Sequence, residues 1–141
     1  MSERAYTLAI SEGFASTTIP LRDFWDFRDD FLSQSQNGRE YIDAYYLWSV
    51  ESSGIDLVDL PLYVGIMPEI SAAMATLEEG ADETVVIDTA LLQEALTIIS
   101  LERTKTSNST VLSILDRVEQ DLVLYSGLSR SDFLALFNQA L

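Results

Sequence analysis

The sequence predicts an all-α protein, a single compact bundle of five to six helices that spans residues 1–141 and begins with an aromatic-rich helical hairpin. Apolar residues recur at spacings of three and four through successive segments, as they do on the buried face of a helix. Residues that commonly cap helices stand before these segments. Because no internal repeat, low-complexity tract or linker divides the chain, we expect one domain.

Two aromatic-rich runs near the front of the chain predict the hairpin. Thr18 is a candidate N-cap, and Pro20 falls near the first turn of a helix expected over 20–33. A second helix is expected over 38–50, and the short connection favours an antiparallel pair whose aromatic faces meet. These aromatic side chains are expected to form core, with a ligand pocket as the alternative, and the basic residues to pair with nearby Asp or Tyr groups. The residues assigned to the hairpin are Phe24, Trp25, Arg28, Asp29, Gly38, Arg39, Tyr45, Tyr46 and Trp48.

The connection between these helices, SQSQNG, partly fits a calcium-binding loop. Such a loop needs carboxylates at its first and twelfth positions, where this chain has Ser33 and Ala44. We therefore expect no metal site there. Gly38 is instead expected to end the first helix or relax the turn, while Asn37 tolerates a left-handed conformation.

The middle of the chain is apolar but interrupted. Pro61, Gly65 and Pro68 favour a short helical turn and a kink, followed by a helix over about 68–78. The apolar run 85–87 then fits either a brief extended segment or the lead-in to a helix, and periodicity does not decide between them.

Three further helices are predicted in the C-terminal part. Asp88 or Thr89 is expected to cap a helix over about 90–104, and Ser129 or Ser131 to cap the last helix. The helix between them carries the most regular apolar stripe of the sequence, formed by Val111, Ile114, Leu115, Val118, Leu122 and Tyr125. On the last helix a possible interaction surface is formed by Phe133, Phe137 and Leu141.

Charge and composition exclude several functional classes. The net charge of −15, from 23 acidic and 8 basic residues, would repel a phosphate backbone, so we expect no nucleic-acid partner. It favours solubility and attraction to basic partners. The absence of Cys and His removes thiol nucleophiles, His bases and zinc-finger sites. We predict no catalytic residue, no cofactor and no metal.

Localisation is left open by the sequence. The first residues have no apolar core of signal-peptide length behind a basic start, and no run reaches membrane-spanning length. We therefore expect no signal peptide in this chain and no membrane insertion. A soluble protein, or the mature part of an exported one, fits both observations.

Acidic clusters and one short motif are the remaining candidates for chemistry. The clusters are expected to be solvated faces or helix ends, with a hydrolase pair or a hard-cation site as the alternative. Asn108 opens an Asn-Ser-Thr sequence that matches a glycosylation acceptor, which we interpret as loop chemistry. The clustered carboxylates are Asp56 and Asp59, and then Glu78, Glu79, Asp82 and Glu83.

The N-terminal hairpin resembles a bacterial C-terminal module, the CFI-box C-terminal domain. The resemblance implies a module of exported or surface-associated bacterial proteins, without established catalysis. The family's Cys-containing box is absent here, and Ser49 is followed by Val50 where the family has Pro. The matching residues are Phe27, Arg28, Asp29 and Leu32, then Gly38 and Arg39, then Tyr45, Tyr46 and Ser49.

Three functional hypotheses follow. The first is a non-catalytic helical module that binds another protein or copies of itself. The second is an acidic inhibitor or immunity-type protein whose carboxylates mimic phosphate charge, which requires those carboxylates to be concentrated on one face. The third is an enzyme that uses Asp or Glu with Tyr or Arg, which requires a pocket with two converging carboxyl groups.

Overall fold

Helices follow one another along the computed structural model, which describes residues 25–52 and 57–139. A π-helical turn and a 3-10 turn precede the first α-helix, and a second 3-10 turn leads into the next one. The all-α fold and the predicted number of helices are confirmed. The elements are the turns Phe27–Phe31, Leu32–Gln34 and Leu57–Asp59, and the helices α1 (Gln36–Glu51), α2 (Leu60–Glu79), α3 (Thr89–Lys105), α4 (Ser109–Tyr125) and α5 (Arg130–Phe137).

Side-chain caps fix where most of these helices begin. Ser35 caps α1, Asp88 caps α3, Asn108 caps α4 and Ser129 caps α5, and each side-chain oxygen accepts a backbone N–H of the first turn. These N–H groups have no partner within the helix, so the caps stabilise the helix starts. Asp88 and Ser129 were the predicted choices, and both are confirmed.

The corner before α1 is built differently from the prediction. Gly38 lies in the first turn of α1, where its N–H donates to Ser35 Oγ at 3.0 Å. A Cβ at this position would overlap the carbonyl oxygen of Leu32 and lie 2.7 Å from the carbonyl carbon. Of the two predicted roles, ending the first helix was therefore wrong, and Gly38 instead lets the preceding turn approach α1 closely. Asn37 is helical and has no positive φ.

The helix α2 starts earlier than predicted. It runs from Leu60 through Pro68 to its end, so the predicted start near residue 68 was wrong. Pro61 lies in the first turn, where the missing N–H costs no intrahelical bond. Pro68 forfeits one such bond, and the buried inner side chains of α2 hold the helix together around it.

The segment 85–87 is not helical, and Val85 pairs with another part of the chain as an extended residue does. Val85 forms an isolated antiparallel bridge with Ser129, and the Gly127 N–H donates to the Ile87 carbonyl at 2.9 Å. Gly127 has a φ of 78°, a conformation that side-chain-bearing residues rarely adopt. These backbone bonds fasten the start of α5 to the segment before α3.

An aromatic cluster occupies the centre of the bundle. The ring of Phe137 lies 5.6 Å from that of Phe31 and 5.7 Å from that of Phe133, which in turn lies 4.4 Å from Tyr125. Phe133 and Phe137 are only 6% and 5% exposed. The prediction that they form an interaction surface was wrong, because the bridge to Val85 turns the aromatic face of α5 inward. Leu141 lies outside the described residues.

A second, smaller cluster joins α3 and α4. It consists of Ile99, Val111 and Leu115, against which the half-buried Trp48 of α1 packs. With Tyr125 buried in the central cluster, the predicted stripe of α4 is confirmed at both ends.

The hairpin is closed partly by polar contacts. Trp25 and Tyr46 are exposed, so the prediction of core fails for both. The Arg28 guanidinium lies 5.5 Å from the Trp25 ring centre, donates to the Tyr46 hydroxyl at 2.8 Å and pairs with Asp29 at 3.0 Å. The predicted pairing of hairpin basic residues with Asp and Tyr is thus confirmed for Arg28. Phe24 and the predicted helix start at Thr18 and Pro20 lie outside the described residues.

Gly38→Ala is expected to destabilise the protein by about 1–3 kcal/mol, because the new Cβ overlaps backbone that cannot move away cheaply. Gly65→Ala is the matched control. Gly65 also lies in an α-helix, but its Cβ would meet nothing within 4 Å. We expect the control to stabilise by about 0.5–1 kcal/mol through helix propensity. Chemical denaturation of the two variants measures both changes, and equal effects would contradict the account.

Candidate functional site

The side of α2 that faces away from the bundle is apolar. Its exposed positions recur at spacings of four and three and are small, and larger side chains are exposed at its N-terminal end. There Leu57 and Val58 are both 84% exposed. We call this surface the outer face; it consists of Leu57, Val58, Pro61, Leu62, Gly65, Pro68, Ala72 and Ala75.

The outer face exists because α2 carries apolar residues on both its inner and its outer side. Its inner side buries Ile66, Met67, Met74 and Leu77, which is enough to fix the helix on the bundle. The stretch Leu57–Glu79 is long and apolar enough to cross a membrane by length and composition, and only 22% of its most apolar part is buried. The expectation that no run reaches membrane-spanning length was therefore wrong. The same composition suits a helix that another protein covers, because all-round apolar helices are normally buried.

Carboxylates flank the second half of the outer face. Glu78 and Glu79 lie at the C-terminal end of α2, and Glu69 meets Glu94 of α3. The hydrogen bond between these two carboxyl groups raises the pKa of Glu69, and their like charge and partial burial act in the same direction. No Lys or Arg occurs in α2, so the negative charge beside its outer face is not balanced within the helix.

A buried polar cluster holds the start of the outer face in place. The Tyr63 hydroxyl of α2 donates to Glu102, a carboxylate of α3 that is 7% exposed. Lys105 Nζ lies 3.7 Å from Glu102 and also pairs with Asp59 in the 3-10 turn. Because this cluster ties the turn and the first helical turns of α2 to the end of α3, it fixes the direction in which Leu57 and its neighbours point.

A second polar network ties α1 to α4. Asp121 accepts hydrogen bonds from the Tyr41 hydroxyl and, at 2.8 Å, from Arg117 Nε. Arg117 also pairs with Glu40 at 3.2 Å and lies 5.4 Å from the centre of the Tyr41 ring. Burial and the bond to Asp121 raise the pKa of Tyr41 far above its usual value, and the same carboxylate raises that of Arg117. Both groups therefore keep their protons at any physiological pH.

The other basic residues are engaged in the same way. Arg103 bridges to Asp116 and Glu119 of α4, and Arg130 pairs with Asp82 at 3.0 Å. The predicted hairpin residue Arg39 donates to the Ser33 carbonyl at 3.2 Å. Each Lys and Arg side chain within residues 25–52 and 57–139 thus has a polar partner.

Between the helices lies an apolar cavity of about 420 Å³, which α2, α3 and α4 line. It adjoins a second space of about 310 Å³ beside the aromatic cluster. Both are bounded almost entirely by aliphatic, aromatic and Met side chains. The residues that line both spaces are Ile70, Leu77, Ile87, Val118, Leu122 and Phe133.

The residues singled out from the sequence do not converge on one site. In the hairpin Arg28, Asp29, Tyr46 and Trp25 meet, and the Tyr45 and Tyr46 rings pack edge to face at 5.7 Å. The other hairpin residues, Gly38, Arg39 and Trp48, contact the preceding turn or the α3–α4 cluster.

Glu69 and Glu94 bring two carboxyl groups into contact, and this pair lines neither of the two spaces between the helices. Among the residues that the structure describes, no group of three or more Asp or Glu side chains could hold a metal ion. Of the predicted acidic clusters, Asp59 and Asp82 form ion pairs, and Asp56 lies outside the described ranges.

The outer face and the Tyr63–Glu102 contact were not predicted. The sequence feature that could have indicated the outer face is the absence of any charged side chain from residues 60–68, a run that also contains Pro and Gly. The second joins residues 39 positions apart, and no local pattern reports such a pairing.

Comparisons of the chain with family models, with curated proteins and with solved structures found no match. The resemblance of the hairpin to the CFI-box C-terminal domain therefore stays a prediction.

Tyr63→Phe is expected to destabilise the fold by about 1–3 kcal/mol, because the buried Glu102 carboxylate loses its hydroxyl donor. Tyr46→Phe is the matched control, since it removes a hydroxyl that meets Arg28 at the exposed surface. We expect a change below about 0.5 kcal/mol there. Thermal and urea unfolding of both variants test the difference, and similar losses would contradict a structural role for the buried cluster.

Glu69→Gln is expected to raise the melting temperature at neutral pH. A carboxyl whose pKa is raised by folding stabilises the fold below its unfolded pKa of 4.5, and this contribution is lost as the pH rises through the folded value. The advantage of the Gln variant should therefore shrink as the pH is lowered from 7.5 towards 4.5.

Glu79→Gln, which removes one charge from the exposed end of the same helix, controls for net charge. Melting curves at several pH values measure both variants. If the two show the same pH dependence, the Glu69–Glu94 contact does not account for the effect.

Proposed function

We propose that this protein is a non-catalytic helical interaction module, and that the outer face of α2 docks a basic amphipathic helix of a partner protein. The observation that carries the proposal is the exposed apolar stripe on α2, with carboxylates beside it in a chain whose net charge is −15. An exposed apolar surface of this kind commonly marks a site of protein association.

The shape of the outer face suits a helix. Its small residues, from Pro61 to Ala75, allow a partner backbone to approach closely, and α2 is about 30 Å long at 1.5 Å per residue. Apolar side chains spaced at three and four on a partner helix would lie along this stripe. Leu57, Val58 and Leu62 offer larger contacts at one end.

Charge selects the kind of partner. The chain carries a net charge of −15, and Glu78 and Glu79 stand at one end of the outer face. A partner helix with Lys or Arg beside its apolar stripe gains favourable contacts at this rim, mainly in rate and specificity of association. A second copy of this chain would instead bring another surface of the same net charge, −15, to the interface, which disfavours self-association.

The alternative of a phosphate-mimicking inhibitor has less support. It requires carboxylates concentrated on one face, whereas the described carboxylates occur on all five α-helices. Several of them also serve other contacts, such as Asp121 with Tyr41 and Arg117, and Asp88 as a helix cap. If the resemblance of the hairpin holds, the module belongs to an exported or surface-associated bacterial protein.

The proposal is tested by fluorescence polarisation with a labelled synthetic peptide that carries Leu on one helical face and Lys on the other. An otherwise identical peptide with Glu in place of Lys is the control for charge. We expect the Lys peptide to bind at least about tenfold more tightly than the Glu peptide, with the difference shrinking at high salt.

Two Arg variants locate the binding. Ala72→Arg places a bulky cation in the middle of the outer face, and Ser100→Arg adds the same charge to an exposed position of α3. We expect Ala72→Arg to lower the affinity for the Lys peptide at least about tenfold. Ser100→Arg is expected to change that affinity by less than about twofold. Equal effects, or tight binding to neutral lipid vesicles in place of the peptide, would contradict a protein-docking face.

A further inference from the structure

We propose that the cavity between α2, α3 and α4 binds an uncharged, largely hydrocarbon molecule. This inference does not depend on the docking function, because the cavity is lined by the inner side of α2 and the outer face is not part of it.

The size of the cavity exceeds what a packing defect leaves. Its volume is about 420 Å³, whereas an engineered cavity of about 150 Å³ in a protein core already binds benzene. Ligand sites in proteins commonly fall in the range of about 300–1,000 Å³. The space is also partly open to the surface, which gives a ligand a way in.

The lining selects an apolar occupant. Aliphatic and Met side chains from three helices form most of the wall, and the long thioether side chains of Met67 and Met74 adapt readily to different shapes. The hydroxyl of Tyr63, which also lines the cavity, donates its proton away from it to Glu102. Water would find few hydrogen-bond partners there, and such cavities take up apolar molecules instead.

The charges around the cavity disfavour an anionic head group. Lys105 is the cation near the Tyr63 end, and it is already paired with Asp59 and close to Glu102. At the adjoining space, Arg117 is held by Asp121, whose carboxylate itself lines that space. The carboxylate of a fatty acid would therefore be repelled by these carboxylates, and the nearby cations are already paired with them. An uncharged ligand avoids this cost.

The test uses two dyes that share one ring skeleton. N-phenyl-1-naphthylamine is neutral, and 1-anilinonaphthalene-8-sulfonate carries a sulfonate. Titration of the full chain with each dye, followed by its fluorescence, is expected to show binding of the neutral dye at least about tenfold tighter than that of the anionic dye. Absence of binding by the neutral dye, or equal affinity for the two, overturns the proposal.

Neighbouring residues of α2 locate the bound dye. Ala73 lines the cavity, whereas the adjacent Ala72 is exposed on the outer face. Ala73→Leu reduces the cavity volume and is expected to lower the affinity for the neutral dye at least about fivefold. Ala72→Leu is expected to change this affinity by less than about twofold. Ala95→Leu fills the same cavity from α3 and serves if Ala73→Leu does not fold.

Circular dichroism establishes that each variant keeps its helical content. Loss of dye binding in Ala72→Leu but not in the cavity variants would place the dye on the outer face and overturn the proposal. That outcome leaves the peptide-docking proposal intact, whereas weaker peptide binding in Ala72→Arg does not bear on the cavity, so the two proposals fail separately.

Discussion

The helix α2 carries more apolar surface than one side of a bundle can cover, and the rest of the structure is arranged around this constraint. Its inner residues enter the core beside the aromatic cluster, where α5 closes the opposite side. Its outer residues stay exposed. Burial of the inner side supplies the free energy that holds α2 in place, since apolar burial dominates folding.

Polar contacts determine which side of α2 faces the bundle, which apolar burial alone would not. A helix with apolar residues on two sides could, by apolar burial alone, pack with either side inward. The bond from Tyr63 to the buried Glu102 prevents the reversed packing, since breaking it would leave a carboxylate buried without its donor. Lys105 adds the anchor to Asp59 before α2 begins. The outer face is therefore a fixed surface.

The sequence predicts the helices well because capping and apolar spacing are local properties. Asp88, Ser129 and the stripe of α4 are read directly from neighbouring residues. The choice between the two roles predicted for Gly38 could not be made locally, because the contact that requires glycine comes from Leu32, which folds back onto α1. Phe133 and Phe137 were wrongly predicted to be a surface, since their burial depends on the bridge between Val85 and Ser129. These two residues are 44 positions apart in the chain. Neither the outer face nor the cavity follows from spacing, because both depend on which side of α2 the other helices cover.

Hydroxyl-radical footprinting of the free protein at low concentration tests this account most directly. The outer face is exposed in the free protein, whereas Met67 and Met74 on the other side of the same helix are buried. We therefore predict rapid modification of Leu57, Val58 and Leu62, with Met67 and Met74 protected although Met is intrinsically more reactive. Protection of the leucines, or rapid oxidation of both Met residues, would contradict it.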